Sequence, residues 1–244
     1  MSSQAISAVV TTLSIVEAMA EYGAPIGVSE LAKLVDSAKP RTYRHLRTLV
    51  GKGYVVQDAD TDKYSLTLKV FHIGQAVATN MSFLNEAQKE MPRLRDATNL
   101  SVSIGQVDGD GVRILDILRH RASIEITTPP GTLLDFHSSA NGKIVLAFSR
   151  GTLLDRVLRG RLPARTPRTH TSASALRAEV ADVQKAGWAV APEEALLGIN
   201  ALSAPIFDAS HDLAGTITVV GSVQHLPPKP ASSLVSAVLA AAAA

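Results

Sequence analysis

The sequence predicts an α+β chain in two domains, and three observations carry that expectation. Three short helical patterns and a pair of strands come first. A second region follows in which strands joined by tight turns mix with helices, and a helical stretch connects the two. At 244 residues, 46% of them apolar, the chain can fill a core in each domain.

The elements follow in order. Ile6, Val9, Val10, Leu13, Val16 and Met19 recur at helical spacing, and Gly23-Ala24-Pro25 stops the pattern. Ser29 suits an N-cap for a second helix, ELAKLV, and Asp36-Ser37-Ala38 turns the chain. Pro40 fits the first turn of a third helix, where its missing N–H costs nothing. Leu46, Leu49 and Val50 give this helix an apolar face, with Arg41, Thr42, Tyr43, Arg44 and Arg47 toward the other side. Gly51 and Gly53 end it, and strands at 54–57 and 63–66 flank the turn-rich Asp58-Ala59-Asp60-Thr61-Asp62. Three helices and a hairpin make a winged helix-turn-helix. Residues 68–96 read as helix, interrupted near Thr79-Asn80-Met81, and form a linker.

The second region opens with strands at 101–107 and 112–118 around the turn Asp108-Gly109-Asp110-Gly111. Helices are expected at 138–149, 152–159 and 173–186, and strands at 123–128, 188–191, 201–207 and 213–221. From Lys229 on, one helix closes in an alanine run. The expected divisions are 1–78 for the winged helix-turn-helix, 79–97 for the linker helix and 98–244 for the second domain.

Composition excludes several classes. Twenty-four basic and 22 acidic side chains leave a net charge of +2, so attraction to nucleic acid must be local. Cysteine is absent, which removes disulfides, thiolate metal sites and a cysteine nucleophile. The N-terminus has no basic n-region and carries Glu17 and Glu21, so no signal peptide is expected; residues 232–244 are too short to span a bilayer. The expected location is the cytoplasm.

Signs of an enzyme are thin, so none of the residues is assigned a catalytic role. Asn141-Gly142-Lys143 resembles a phosphate loop, but His137 stands where that motif needs Gly and Ile144 where it needs Ser or Thr. No Gly-x-Ser-x-Gly elbow occurs, and His137 reads as a structural histidine at a helix start. Seven scattered histidines show no metal-ligand spacing, so no metal and no cofactor is expected. Glu193 and Glu194, adjacent in the chain, point apart.

One segment does point to chemistry. KPRTYRHLRTLVGKGY, residues 39–54, holds five Lys or Arg, and no acidic residue occurs from Ser37 to Gln57. Surface helices ordinarily mix both signs, as ELAKLVD does just upstream. A single-sign face on the second helix of a helix-turn-helix suits the DNA major groove. Lys39, Arg41, Thr42 and Tyr43, near the helix start, are placed to approach base edges. Arg44, Arg47 and Lys63 on the wing are placed to meet phosphates, and Ser29 and Pro40 complete the expected contact set. Double-stranded operator DNA is the expected partner, bound by paired copies.

These residues resemble the IclR family of bacterial transcription regulators from about Ser7 to Leu226. The resemblance rests on VSELAKLVDSAKPRTYRHLRTLVGKGYV with DTDKYSLTLKVFHIG, and on GTLLDFHSSANGKIVLAF, GWAVAPEEALLGINALSAPIFD and LAGTITVVGS. It implies a GAF-like α/β effector-binding domain with an antiparallel sheet, a homodimer or dimer of dimers, and a small organic acid effector that changes how the DNA readers are spaced; a repressor of a catabolic operon is expected, with the effector either relieving repression or promoting activation. It places the effector pocket at Ser138, Ser139, Ala140 and Asn141, at Ala191, Ile199, Asn200 and Ala201, and at Thr218 and Val220. Relatives that bind small polar acids often carry Asp, Cys and Ser where this chain has Ala191, Ala201 and Val220. The implied effector is therefore an aromatic or otherwise hydrophobic carboxylic acid, held by the remaining polar groups. Pro40 stands where relatives usually carry Ser, Thr or Ala, so one common phosphate-contacting hydroxyl is missing. The competing classes are an enzyme and an interaction module that has lost DNA binding.

Overall fold

A computed structural model describes residues 5–79, 81–120 and 128–244. The chain forms two compact units, Met1–Asn80 and Met81–Ala244.

In the first unit, α1 (Ser7–Tyr22) ends at Gly23, whose left-handed φ of 69° lets its N–H close on Met19 O. Helices α2 (Val28–Leu34) and α3 (Lys39–Gly51) follow, then the antiparallel pair β1 (Val55–Gln57) and β2 (Tyr64–Leu66). Ile15, Met19, Ile26, Leu31, Leu46, Leu49, Val55 and Tyr64 form the core. Ile26 extends the wing by exchanging both backbone hydrogen bonds with Tyr64. The tip is shaped by Asp58, whose Oδ1 accepts from the N–H of Asp60 and Thr61.

Two expectations shift here. Helix α2 begins at Val28 with Gly27 as its N-cap, so Ser29 lies inside the helix. Val28 packs against the core and draws the first turn toward the N-terminus. On α3 the inward face is Thr42, Leu46 and Leu49, spaced four and three residues, while Val50 is exposed. Helix α4 (Leu68–Thr79) buries none of its described residues.

The second unit is built on an antiparallel sheet of order β5-β4-β3-β8-β7-β6. The strands are β3 (Ser101–Asp108), β4 (Gly111–Leu118), β5 (Leu133–Asp135), β6 (Ala189–Val190), β7 (Ile199–Phe207) and β8 (Leu213–Ser222). The strand expected at 123–128 falls almost wholly outside the described residues.

Helix α5 (Ser82–Thr98) lays Leu84, Ala87, Met91 and Leu94 against one face of the sheet, beside α9 (Ser232–Ala243). Helices α6 (Ala140–Phe148), α7 (Leu153–Arg159) and α8 (Ala173–Ala186) cover the other face with Ile144, Val145, Leu176 and Val180. Strand alternation divides the side chains: Leu202, Ala204, Ile217 and Val219 join the α5–α9 core, and their neighbours turn toward α6. The chain is α+β, a winged helix-turn-helix unit followed by an antiparallel-sheet unit.

Candidate functional site

Helix α3 places Lys39, Pro40, Arg41, Tyr43, Arg44 and Arg47 on its exposed side, and Lys63 is exposed on the wing. Ser29 is exposed on α2. Thr42 is different: it is fully buried, with Oγ1 donating to Ala38 O at 3.3 Å. It lies one helical turn before Leu46 and faces the core, so it cannot approach a base edge.

Arg41 is oriented by α1. Its Nη2 donates to Ser7 Oγ at 2.7 Å and Thr11 Oγ1 at 3.3 Å. The Thr11 hydroxyl proton is already given to Ser7 O at 2.9 Å, which leaves the oxygen as an acceptor. At the next residue of α1 and one turn along α3, Thr12 Oγ1 gives its proton to Ala8 O and lies 2.7 Å from His45 Nδ1. The His45 ring therefore donates through Nδ1. Burial, then the charges of Arg41 and Arg44, push the His45 pKa down, so neutral imidazole is the form present near pH 7. A row of α1 hydroxyls thus holds two side chains of α3.

In the second unit, Ser139 caps α6 by accepting from Gly142 N at 3.0 Å, and its hydroxyl donates to Asp135 O at 2.6 Å. Gly142 is required sterically, because a Cβ there would lie 2.4 Å from Phe136 Cα and Phe136 O. The cap aims Asn141 at the sheet. Asn141 Nδ2 donates to Thr218 Oγ1 at 2.8 Å and Thr216 Oγ1 at 3.1 Å, and Thr218 passes the chain on to Ser203 Oγ at 2.9 Å. Thr218 and Val220 share this face with Ala201, the cross-strand partner of Val220, and Ala191 N donates to Ala201 O beside them.

Not every expected residue joins this group. Asn200 faces the other side of the sheet, where Nδ2 donates to Leu226 O and Pro227 O and Oδ1 accepts from Ala201 N. Its hydrogen-bonding capacity goes to the backbone there, and alternation along β7 forbids it from the α6 face. Ser138 donates to Asp135 Oδ2 at 3.3 Å, and Ile199 lies half-buried at the start of β7. His137 is buried with Nε2 donating to Pro163 O at 2.9 Å, the structural role read for it above.

A second polar cluster escaped sequence reasoning. Lys143 is fully buried, its Nζ 2.5 Å from Glu179 Oε1, 2.5 Å from Glu194 Oε1 and 3.1 Å from Val190 O. Burial is the main cause that raises the Glu194 pKa, against the opposing pull of Lys143. The adjacent Glu193 points away and accepts from Gly198 N at 3.0 Å. A strap over residues 160–171 lies against this side: Arg165 clamps Asp135 through two hydrogen bonds, and Thr166 and Thr169 donate to Glu193 O and Glu194 O.

Comparisons with known proteins agree with both units. Residues 8–59 match the IclR helix-turn-helix domain, and residues 75–244 match the bacterial transcriptional regulator IclR C-terminal domain. The chain is 29% identical over 204 residues to the HTH-type transcriptional regulator KdgR of Escherichia coli, covering 83% of this chain and 77% of that protein. It is 30% identical over 222 residues to the glycerol operon regulatory protein of Streptomyces griseus, covering 90% and 87%. An IclR homolog from Microbacterium hydrocarbonoxydans, solved in complex with 4-hydroxybenzoate, shares the fold with a TM-score of 0.83 at 19% identity, covering 95% of each chain. The two family matches, which together span most of the chain, place it in the IclR family of bacterial transcriptional regulators.

Proposed function

We propose that the chain represses a catabolic operon as a homo-oligomer, with α3 in the major groove, and that a hydrophobic carboxylic acid bound in the second unit releases it. The carrying observation is the single-sign exposed face of α3: Lys39, Arg41, Arg44 and Arg47 project outward with no acid between Ser37 and Gln57. Arg41 is the base-reading residue, and Arg44, Arg47 and Lys63 meet phosphates.

The acid lies against the Asn141–Thr218–Ser203 chain, with Ala191, Ala201 and Val220 supplying the apolar wall. Apolar residues at those three places suit a ring better than a small polar acid, and the 4-hydroxybenzoate bound by the structural relative is of the same chemical class. Two exposed apolar faces in the first unit support self-association: Ile6, Val9, Val10 and Leu13 on α1, and Leu68, Phe71, Ile73 and Val77 on α4. Helix α4 buries none of its residues, and its exposed apolar side chains suit packing against a second copy.

An electrophoretic shift with the DNA upstream of its own gene tests the reading. A salt-sensitive shift in roughly the nanomolar range, reversed by benzoate-type acids and indifferent to glyoxylate, is expected. No shift at low salt, or turnover of the acid, overturns it.

A further inference from the structure

Three side chains that the sequence keeps apart converge behind α6: His170 from the strap, Glu179 from α8 and Glu194 from the loop after β6. One potential ligand atom from each lies within 4.8 Å of the others. Lys143 Nζ holds Oε1 of both carboxylates, while Oε2 of each is buried without a hydrogen-bond partner. Glu194 is almost wholly buried, so its bare oxygen has no recourse to bulk water. The bare oxygen of Glu179 lies 3.7 Å from His170 Nε2. Two carboxylates and one ammonium leave this site one negative charge in excess.

We propose that His170 Nε2, Glu179 Oε2 and Glu194 Oε2 form a site for a divalent first-row metal such as zinc or manganese. One imidazole nitrogen with two carboxylate oxygens is a donor set for those ions, whereas magnesium prefers oxygen and water alone. Lys143 holds Oε1 of each carboxylate, which leaves one oxygen of each, Oε2, for a metal. Hydrogen-bonded carboxylates of this kind are the usual surroundings of a bound metal.

Ligand atoms around a tetrahedral zinc stand roughly 3.3 Å apart, so the 3.7 Å between His170 Nε2 and Glu179 Oε2 is already close, and any separation approaching the 4.8 Å limit must shorten. His170 supplies that movement, because it is exposed and sits on the strap rather than on a helix or strand. The half-open side at His170 is also the entry path. A protonated His170 is the rival filling, but it lies beyond hydrogen-bonding distance of Glu179 Oε2 and is paired with only one of the two bare oxygens. The bound metal pins the strap to the segment 193–198, next to Ala191 and Ile199.

The full chain, stripped with a chelator, is titrated with zinc and manganese by calorimetry and thermal shift, with magnesium as a control. One metal per chain and a raised Tm are expected, and His170→Ala, an exposed change that spares the fold, weakens binding by about tenfold or more. Cobalt substitution gives a second readout, a visible spectrum that His170→Ala abolishes. Absence of saturable binding, or binding unchanged in His170→Ala, overturns the site. A Tm that follows pH through His170 yet ignores metal overturns it too, and assigns the position to the imidazolium.

Discussion

At the scale of single residues, the roles divide between groups that reach outward and groups the fold consumes. Arg41 reaches outward with its guanidinium oriented by Ser7 and Thr11, and Lys63 stands free on the wing. Arg41→Ala should therefore erase preference for the operator over random DNA, costing about 1–3 kcal/mol of discrimination, while Lys63→Ala should weaken both alike. Competition binding with the two DNAs decides this, and equal losses for Arg41→Ala would contradict the assignment. Lys143 is the opposite kind of residue. Its removal leaves Glu194 buried, and Glu179 half-buried, without a lysine counter-charge, so Lys143→Met should cost about 3–5 kcal/mol in denaturant unfolding. A loss below about 1 kcal/mol would show that water reaches the carboxylates. The sequence marked Arg41 through the absence of acids around it. It could not mark Lys143, because its partners lie 36 and 51 residues away and burial leaves no local trace. Thr42 and Asn200 failed for a similar reason: polar type suggested an exposed or pocket-facing role, and the phase of the helix or strand turned each elsewhere.

At the scale of elements, periodicity was a dependable guide wherever an element buries one face. Helices α1, α3, α6, α7 and α8 and strands β3, β4, β7 and β8 lie within a few residues of their expected places. Strand β5, of three residues, carries too little pattern to be read, and α2 shifted because a capping serine was outweighed by the packing of Val28. The strap is likewise invisible to periodicity, since it is held by specific pairs. Its Arg165–Asp135 clamp predicts a pH dependence. The Arg165 guanidinium, as the main cause, holds the Asp135 pKa below the usual aspartate range. A depressed carboxylate stabilises the fold above its unfolded pKa, and the contribution disappears as pH falls through the folded value. Asp135→Asn should lower Tm at pH 7, and the gap from the parent protein should narrow once pH drops below about 4. A gap that stays constant from pH 7 to 3 would mean the clamp works by shape rather than charge.

At the scale of the whole molecule, the net charge of +2 is too small to pull the protein onto DNA from a distance, so affinity must come from local contacts, which the proposed dimer would double. With Arg44, Arg47 and Lys63 on phosphates, one copy displaces three counterions and a dimer six. The logarithm of the binding constant should then fall with the logarithm of salt concentration with a slope of about −5 for the dimer, against about −3 for a single copy. Lys63→Ala removes one contact from each copy and should flatten the dimer slope by about two. Linkage sets a further constraint on the same titration: an effector that loosens DNA by some factor must itself be bound more weakly, by that factor, when DNA is present. Fluorescence anisotropy across a salt series, with and without a benzoate-type acid, reads both quantities on one sample. A slope near −3 that Lys63→Ala flattens by only about one would place a single copy on the site, and would remove the reason for the apolar faces of α1 and α4 to meet.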